Sequence, residues 1–181
     1  MRLYQILFLL FLFSCQNKTT KTIDFSVFEI QVPNSWEKIK LKGIDSNVGA
    51  IITSENDTIF YDYGYYSNDL SENPIIIDEK MSTFFKDNNK DYDKSEFIIV
   101  KNLDSINIEN YKLNKEIRAV IANRNCKIVS PKKIGDGMTG IYFDNVTKSS
   151  TEKIKFNLVA YNLNEENNKL LLEAFKSIKF K

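Results

Sequence analysis

No histidine occurs anywhere in the 181 residues, and there are only two cysteines, three prolines and six glycines. The missing histidine removes the Ser-His-Asp and Cys-His arrangements, in which an imidazole takes the proton of the nucleophile, and the usual ligand of a catalytic zinc site. The glycines form neither a phosphate-binding loop nor a G-x-S-x-G elbow. Three of them lie in Gly135-Asp136-Gly137-Met138-Thr139-Gly140, but that stretch leads into a strand pattern and not into the helix that an anion site needs. Charge of one sign is missing too, with 25 basic against 24 acidic residues. Such a balance carries no electrostatic footprint for nucleic acid and no field to steer an acidic substrate. With these absences the expectation is a protein that is not an enzyme, has no cofactor and no metal, and does not bind nucleic acid.

Long apolar runs are equally scarce, apart from one. After Met1-Arg2 the chain is almost unbroken in apolar residues from Leu3 to Phe13, and Gln16, Asn17 and Lys18 end the run. A membrane-spanning helix needs about 20 apolar residues. A run of about 11 suits the apolar centre of a signal peptide, and Ser14 places a small residue where the peptidase pocket requires one.

Leu12-Phe13-Ser14-Cys15 resembles the lipobox of bacterial lipoproteins, with Leu at −3, a small residue at −1 and Cys at +1. The resemblance implies a diacylglycerol thioether on Cys15, cleavage before it, and acylation of the new amine. Residues 1–14 are then the signal peptide, 15–23 the lipidated cysteine and a polar tether, and 24–181 a single domain. Loss of Arg2 leaves 24 basic and 24 acidic residues. Only Cys126 remains as a thiol, so the domain has no disulfide and depends on packing. Cys126 reads as a small buried apolar residue on a strand. Gln16 follows Cys15 with no acidic run beyond it. By resemblance to known sorting patterns, this points to the outer membrane, facing the periplasm.

Beyond the tether the pattern is mostly period two. Phe28, Ile30 and Val32 alternate with polar residues up to Pro33. "NVGAIIT" and "DTIFYDYG" read as a hairpin across "SEND". Residues 75–77 look extended, and Met81, Phe84 and Phe85 predict a short helix capped by Asp78. "SEFIIV", "SINIENYKL", "KEIRAVIA" and "CKIVSP" read as strands, as does Gly140–Val146. In "EKIKFNLVAY", Ile154, Phe156, Leu158 and Ala160 face one way, and Lys153, Lys155 and Asn157 the other. Leu171, Ala174, Phe175 and Ile178 give a helical stripe behind an Asn162 or Asn164 cap, and "SIKFK" can close the chain as a strand. The expected class is α+β, an antiparallel sheet with a C-terminal helix packed on one face.

Two ends of this domain resemble the PsbP/DcrB-like superfamily. Phe28-Glu29-Ile30-Gln31-Val32-Pro33-Asn34-Ser35-Trp36 is similar to its opening strand, proline and tryptophan. Leu172–Phe180 is similar to its closing helix and strand. The resemblance implies a PsbP-like fold and a binding or accessory role in a larger assembly, and it transfers no catalytic residue.

Two stretches carry candidate sites. Asp87, Asn89, Asp91 and Asp93 are spaced like the start of a calcium loop, but Tyr92 stands where glycine is needed and Ile98 where a bidentate glutamate is needed. That stretch reads as a solvated acidic loop. The segment 61–69 gathers Tyr61, Asp62, Tyr63, Tyr65, Tyr66 and Asp69. Exposed tyrosines offer flat area with a polar tip, which suits recognition. Ile59, Tyr61, Tyr63 and Tyr65 nevertheless keep a strand's period of two, which favours packing into a sheet over recognition. The functional expectation is a lipid-anchored envelope protein, held to the membrane by its lipid, that binds or assists an envelope protein partner. The alternative is a ligand- or glycan-binding lipoprotein using segment 61–69.

Two or more acyl chains, at about 0.8 kcal/mol per buried methylene, hold a protein to a bilayer. Cys15→Ala is therefore expected to release the protein from the membrane fraction or to leave an uncleaved precursor. Unchanged fractionation and unchanged mass exclude lipidation.

Overall fold

The computed structural model describes residues 19–89, 91–104, 106–147 and 153–181. Cys15 and the lipobox lie outside them. Twelve strands and two α-helices are found in these segments. A seven-stranded antiparallel sheet has the order β3 (Glu37–Lys40), β4 (Asn47–Ile52), β5 (Thr58–Gly64), β11 (Lys155–Tyr161), β10 (Met138–Phe143), β9 (Arg124–Pro131), β8 (Asn114–Ile121). A three-stranded antiparallel sheet has β2 (Phe28–Pro33) between β1 (Thr20–Asp24) and β12 (Lys179–Phe180). Strands β6 (Ile76–Asp78) and β7 (Ile98–Val100) pair in parallel, with helix α1 (Glu79–Asn88) between them in the chain. Helix α2 (Glu165–Phe175) precedes β12. The class is α+β, with mostly antiparallel sheet and two α-helices.

Alternation explains where the core sits. Phe28, Ile30 and Val32 of β2 are buried, as are Phe156, Leu158 and Ala160 of β11. They meet in one apolar cluster with Tyr61, Ile141, Phe143, Leu171 and Phe175. The Phe28 ring is 4.7 Å from Phe156, 5.0 Å from Tyr61 and 4.9 Å from Phe25, centroid to centroid. Such aromatic pairs contribute about 0.5–1.5 kcal/mol each beyond the area they bury. Trp36 is buried just past Pro33, whose carbonyl accepts its backbone N–H at 3.0 Å.

The helix signals are met locally. Asp78 caps α1 by accepting from the Met81 N–H, and Asn164 caps α2 by accepting from the Asn167 N–H. No residue of α1 is buried, and Met81 and Phe84 of its stripe are exposed. Helix α2 stops at Phe175, so Ile178 reaches the core from the turn after it. Ser177 holds that turn: its hydroxyl oxygen accepts the Gln31 N–H at 2.8 Å and lies 2.6 Å from the Ala174 carbonyl.

Several expectations are corrected. Residues 20–23, expected in the tether, belong to β1, because Thr20–Asp24 pairs with Glu29–Pro33 and buries Ile23. Residues 106–113 of "SINIENYKL" are not a strand: Asn107 accepts from the Glu109 N–H and starts a 3-10 turn at Ile108–Asn110. The strand expected over Gly140–Val146 runs from Met138 to Phe143. Asn157 faces away from Phe156 and Leu158, as the alternation expects, and is buried on that side too.

Phe28 has no exposed surface. Phe28→Ala is expected to lower unfolding stability by about 3–5 kcal/mol in urea melts. Phe60→Ala, at an exposed position on β5, should cost less than about 1 kcal/mol.

Candidate functional site: a polar trough beside a hydrogen-bonded strap

The segment after β5 crosses the sheet face opposite Phe156 and Leu158, and it is tied down at every step. The Ser67 hydroxyl lies 3.1 Å from the Asp62 carbonyl, 3.3 Å from that of Gly64 and 3.4 Å from that of Lys155. The buried Asn157 amide donates to the Asn68 carbonyl at 2.9 Å. Asn68 in turn accepts the Leu70 N–H at 2.6 Å, and Leu70 takes a left-handed φ of 59°. That conformation costs a branched residue roughly 1–3 kcal/mol. It is offset by burial of the Leu70 side chain in a second apolar cluster with Val129, Tyr142 and Val159. The far end is held by Glu72. Its carboxylate accepts from the Leu113 N–H at 2.6 Å, the Asn114 N–H at 3.0 Å and the Asn114 side-chain amide at 2.7 Å. Bonds to an ionised acceptor are about twice as strong as neutral ones.

The strap walls one side of an open trough of about 630 Å³. Asp69 and Ser71 come from the strap, Glu116 and Arg118 from β8, Asn125 and Lys127 from β9, and Tyr142 and Asp144 from the end of β10. Side chains two apart on a strand share a face, so each strand delivers its pair to the same side. Lys127 is the centre of the cluster. Its ammonium donates to the Ser71 hydroxyl at 2.9 Å, stands 3.7 Å from the Glu116 carboxylate and lies 5.9 Å from the Tyr142 ring centre. The Tyr142 hydroxyl donates to Asp144 at 3.2 Å.

Burial, then the charge of Asp144, pushes the Tyr142 phenol up to about 12. The Ser71 backbone N–H, more than any other group, holds Asp69 below the ordinary carboxylate range. Both groups are thereby kept in their ordinary neutral-pH forms, phenol and carboxylate. Cys126 also borders the trough but is buried, and burial raises its thiol pKa. This disfavours the thiolate that a nucleophile needs. Among the described residues, no three His, Cys, Asp or Glu side chains are grouped to hold a metal ion. The trough offers fixed donors and acceptors of both charge signs.

The structure divides segment 61–69. Tyr61 is 5% exposed, in the core, and its hydroxyl donates to Asn47 at 2.7 Å. Tyr63 is partly buried against the same cluster. Asp62 points to the opposite face, where its buried Oδ1 has no hydrogen-bond partner among the described residues. Tyr65 and Tyr66 are 50% and 86% exposed, where the strap leaves β5. Of the six, Asp69 alone lines the trough. Glu116, Arg118, Lys127, Tyr142 and Asp144 escape a reading by local clustering. Their signal is weak in sequence: polar residues two apart on three strands, meaningful once those strands are known to be neighbours.

Gly140 is where the strap meets the sheet. A Cβ there would stand 2.6 Å from Leu70 Cδ1 and 3.1 Å from Val159 Cγ2. Gly140→Ala is therefore expected to lift Leu70 and loosen the strap. Native-state hydrogen exchange should speed up at the Leu70 and Ser71 amides, with a stability loss of about 1–3 kcal/mol. Unchanged exchange there would show that the strap does not rest on this contact.

No family model matches the chain, and no curated protein matches it.

Proposed function

We propose that this chain is a lipid-anchored, non-enzymatic binding or accessory module of the bacterial cell envelope, at the outer membrane and facing the periplasm. The observation that carries this reading is Leu12-Phe13-Ser14-Cys15 behind a short apolar run. A PsbP/DcrB-like domain, with α2 laid over the face of the sheet that bears Phe156, is part of the same proposal. It is supported by Leu171 and Phe175, which share one cluster with Phe28 and Phe156.

The leash is short. The Asn34 N–H already donates to the Thr19 carbonyl at 3.1 Å. Four residues reach at most about 14 Å, whatever their conformation. A lipid on Cys15 thus keeps the β1-β2-β12 layer, where Thr19 joins, close to the bilayer. The trough opens on the other face of the seven-stranded sheet, turned away from that layer, and Tyr65 and Tyr66 stand at the strap's start. A rigid strap presenting two exposed tyrosines beside a trough of mixed charge suits an envelope protein partner, since ordering costs little on binding. A ligand- or glycan-binding lipoprotein is the second reading, favoured by the density of fixed polar groups around Tyr142.

Photo-cross-linking in the native cell from a probe at Asn125, which lines the trough from β9, followed by mass spectrometry, separates the two. The accessory reading expects one envelope protein, with recovery falling about tenfold in Tyr66→Ala, the effect of losing an aromatic anchor. No protein adduct, together with a sugar-dependent change in tyrosine fluorescence that Tyr142→Phe abolishes, supports the second reading and overturns the first.

A further inference from the structure

Strand β8 is the outer strand of the seven-stranded sheet, and its free edge is long. It runs eight residues, and the side chains of Ile117 and Val120 are 58% and 69% exposed. The opposite edge, β3, has four residues, among them Lys38 and Lys40, the short lysine-bearing form that discourages edge pairing. Strand β8 has a lysine only near its start, Lys115, and none from Glu116 to Ile121.

The turn chemistry decides which backbone groups point outward. Strands β8 and β9 are joined by Ala122 and Asn123, with φ of 51° and 57°, a two-residue turn with both residues left-handed. In such a hairpin the flanking pair, Ile121 and Arg124, exchanges both hydrogen bonds. Bonding then alternates, so Ile121, Ala119, Ile117 and Lys115 bond inward to β9. Glu116, Arg118 and Val120 turn their N–H and C=O groups outward. Leu113 keeps the same parity, its carbonyl accepting the Lys132 N–H at 2.8 Å. At Asn114 the outward N–H is already taken by Glu72. The open edge therefore runs from Glu116 to Val120, and among the described residues nothing pairs with it.

We propose that β8 pairs antiparallel with β8 of a second copy, about a two-fold axis through Ile117. In this register Glu116 lies opposite Arg118 of the second copy, and Arg118 opposite its Glu116. Both pairs occupy hydrogen-bonded positions, giving four backbone hydrogen bonds. Ile117 meets its own copy in the closer, non-hydrogen-bonded position, where side chains are nearest. Sliding two residues one way sets Arg118 against Arg118, and the other way Glu116 against Glu116. Sliding by one turns the outward bonding groups of one strand onto the inward ones of the other. The charges thus select one register, and that register is self-complementary, as a two-fold interface requires.

The pairing has a consequence for the site. Glu116 and Arg118 line the trough, so the second copy's Arg118 arrives at each trough's outer rim. The two-fold axis is perpendicular to the sheet. Both troughs therefore open on one face, and both β1-β2-β12 layers lie on the other, which suits two leashes running to one membrane.

The full chain in detergent, studied by sedimentation across concentration, tests this. Self-association is expected. Glu116→Arg alone and Arg118→Glu alone should each weaken it about tenfold, and the double reversal should restore it to within about threefold. Ile117→Cys should oxidise to a dimer whose 117–117 disulfide is found by mass spectrometry. Val120→Cys, about 20 Å from its own copy in this register, should not self-link through residue 120. A chain that stays monomeric at about 100 µM, a double reversal that fails to restore association, or an Ile117→Cys variant that links only to other proteins overturns the proposal.

Discussion

Strand β11 is covered on both faces, and most of the fold is arranged around that requirement. On one side Phe156, Leu158 and Ala160 share one apolar cluster with Phe28, Tyr61 and Phe143, a cluster that also holds Leu171 and Phe175. On the other, Asn157 and Val159 are closed off by the strap. A central strand buried on both faces must satisfy any polar side chain it carries, because an unpaired amide in an apolar setting costs about 1–3 kcal/mol. Asn157 meets that condition by donating to the Asn68 carbonyl, and the bond helps hold the strap across the sheet.

The strap in turn shapes the trough. Its path is set by side chains bonding to backbone: Ser67, Asn68, Asp69 and Glu72 each hold a neighbouring or distant segment. Leu70 supplies the apolar contact, over a glycine that has no Cβ to keep it off. Lys127 links strap and sheet through Ser71 and Glu116. A chain with a net charge of only +1 thereby acquires a locally dense arrangement of opposite charges. The same face carries the Glu116 and Arg118 pair whose spacing selects one register at the open edge of β8.

Some of this was readable in the residues. Period-two alternation located β2, β8 and β11, the turn in "SEND" located the β4–β5 hairpin, and apolar stripes behind an Asp78 cap and an Asn162 or Asn164 cap located both helices. Alternation worked for β2 because one face is buried and the other wetter, and for β11 because the face opposite Phe156 carries the polar Lys155 and Asn157 even though it is covered. It was less informative for β1, which is short and has only Ile23 buried. It misled at residues 105–113, where apolar residues alternate but Asn107 offers the backbone a tighter turn. The tyrosine segment was ambiguous for a physical reason: a strand's inward face and a recognition surface both favour aromatic residues. The chain resolves the ambiguity by ending β5 at Gly64, so that Tyr61 and Tyr63 pack while Tyr65 and Tyr66 emerge.

Local chemistry alone determined the strand periods, the helix caps, the exclusion of histidine-based catalysis and the likeness of residues 12–15 to a lipobox. Those features depend on residues a few positions apart, where covalent geometry controls what can meet. The order β3-β4-β5-β11-β10-β9-β8, the path of the strap and the trough were decided by tertiary structure. Asp69, Lys127 and Tyr142 are far apart in the chain. They become neighbours only because burying β11 from both sides forces β5, β10 and the strap around it.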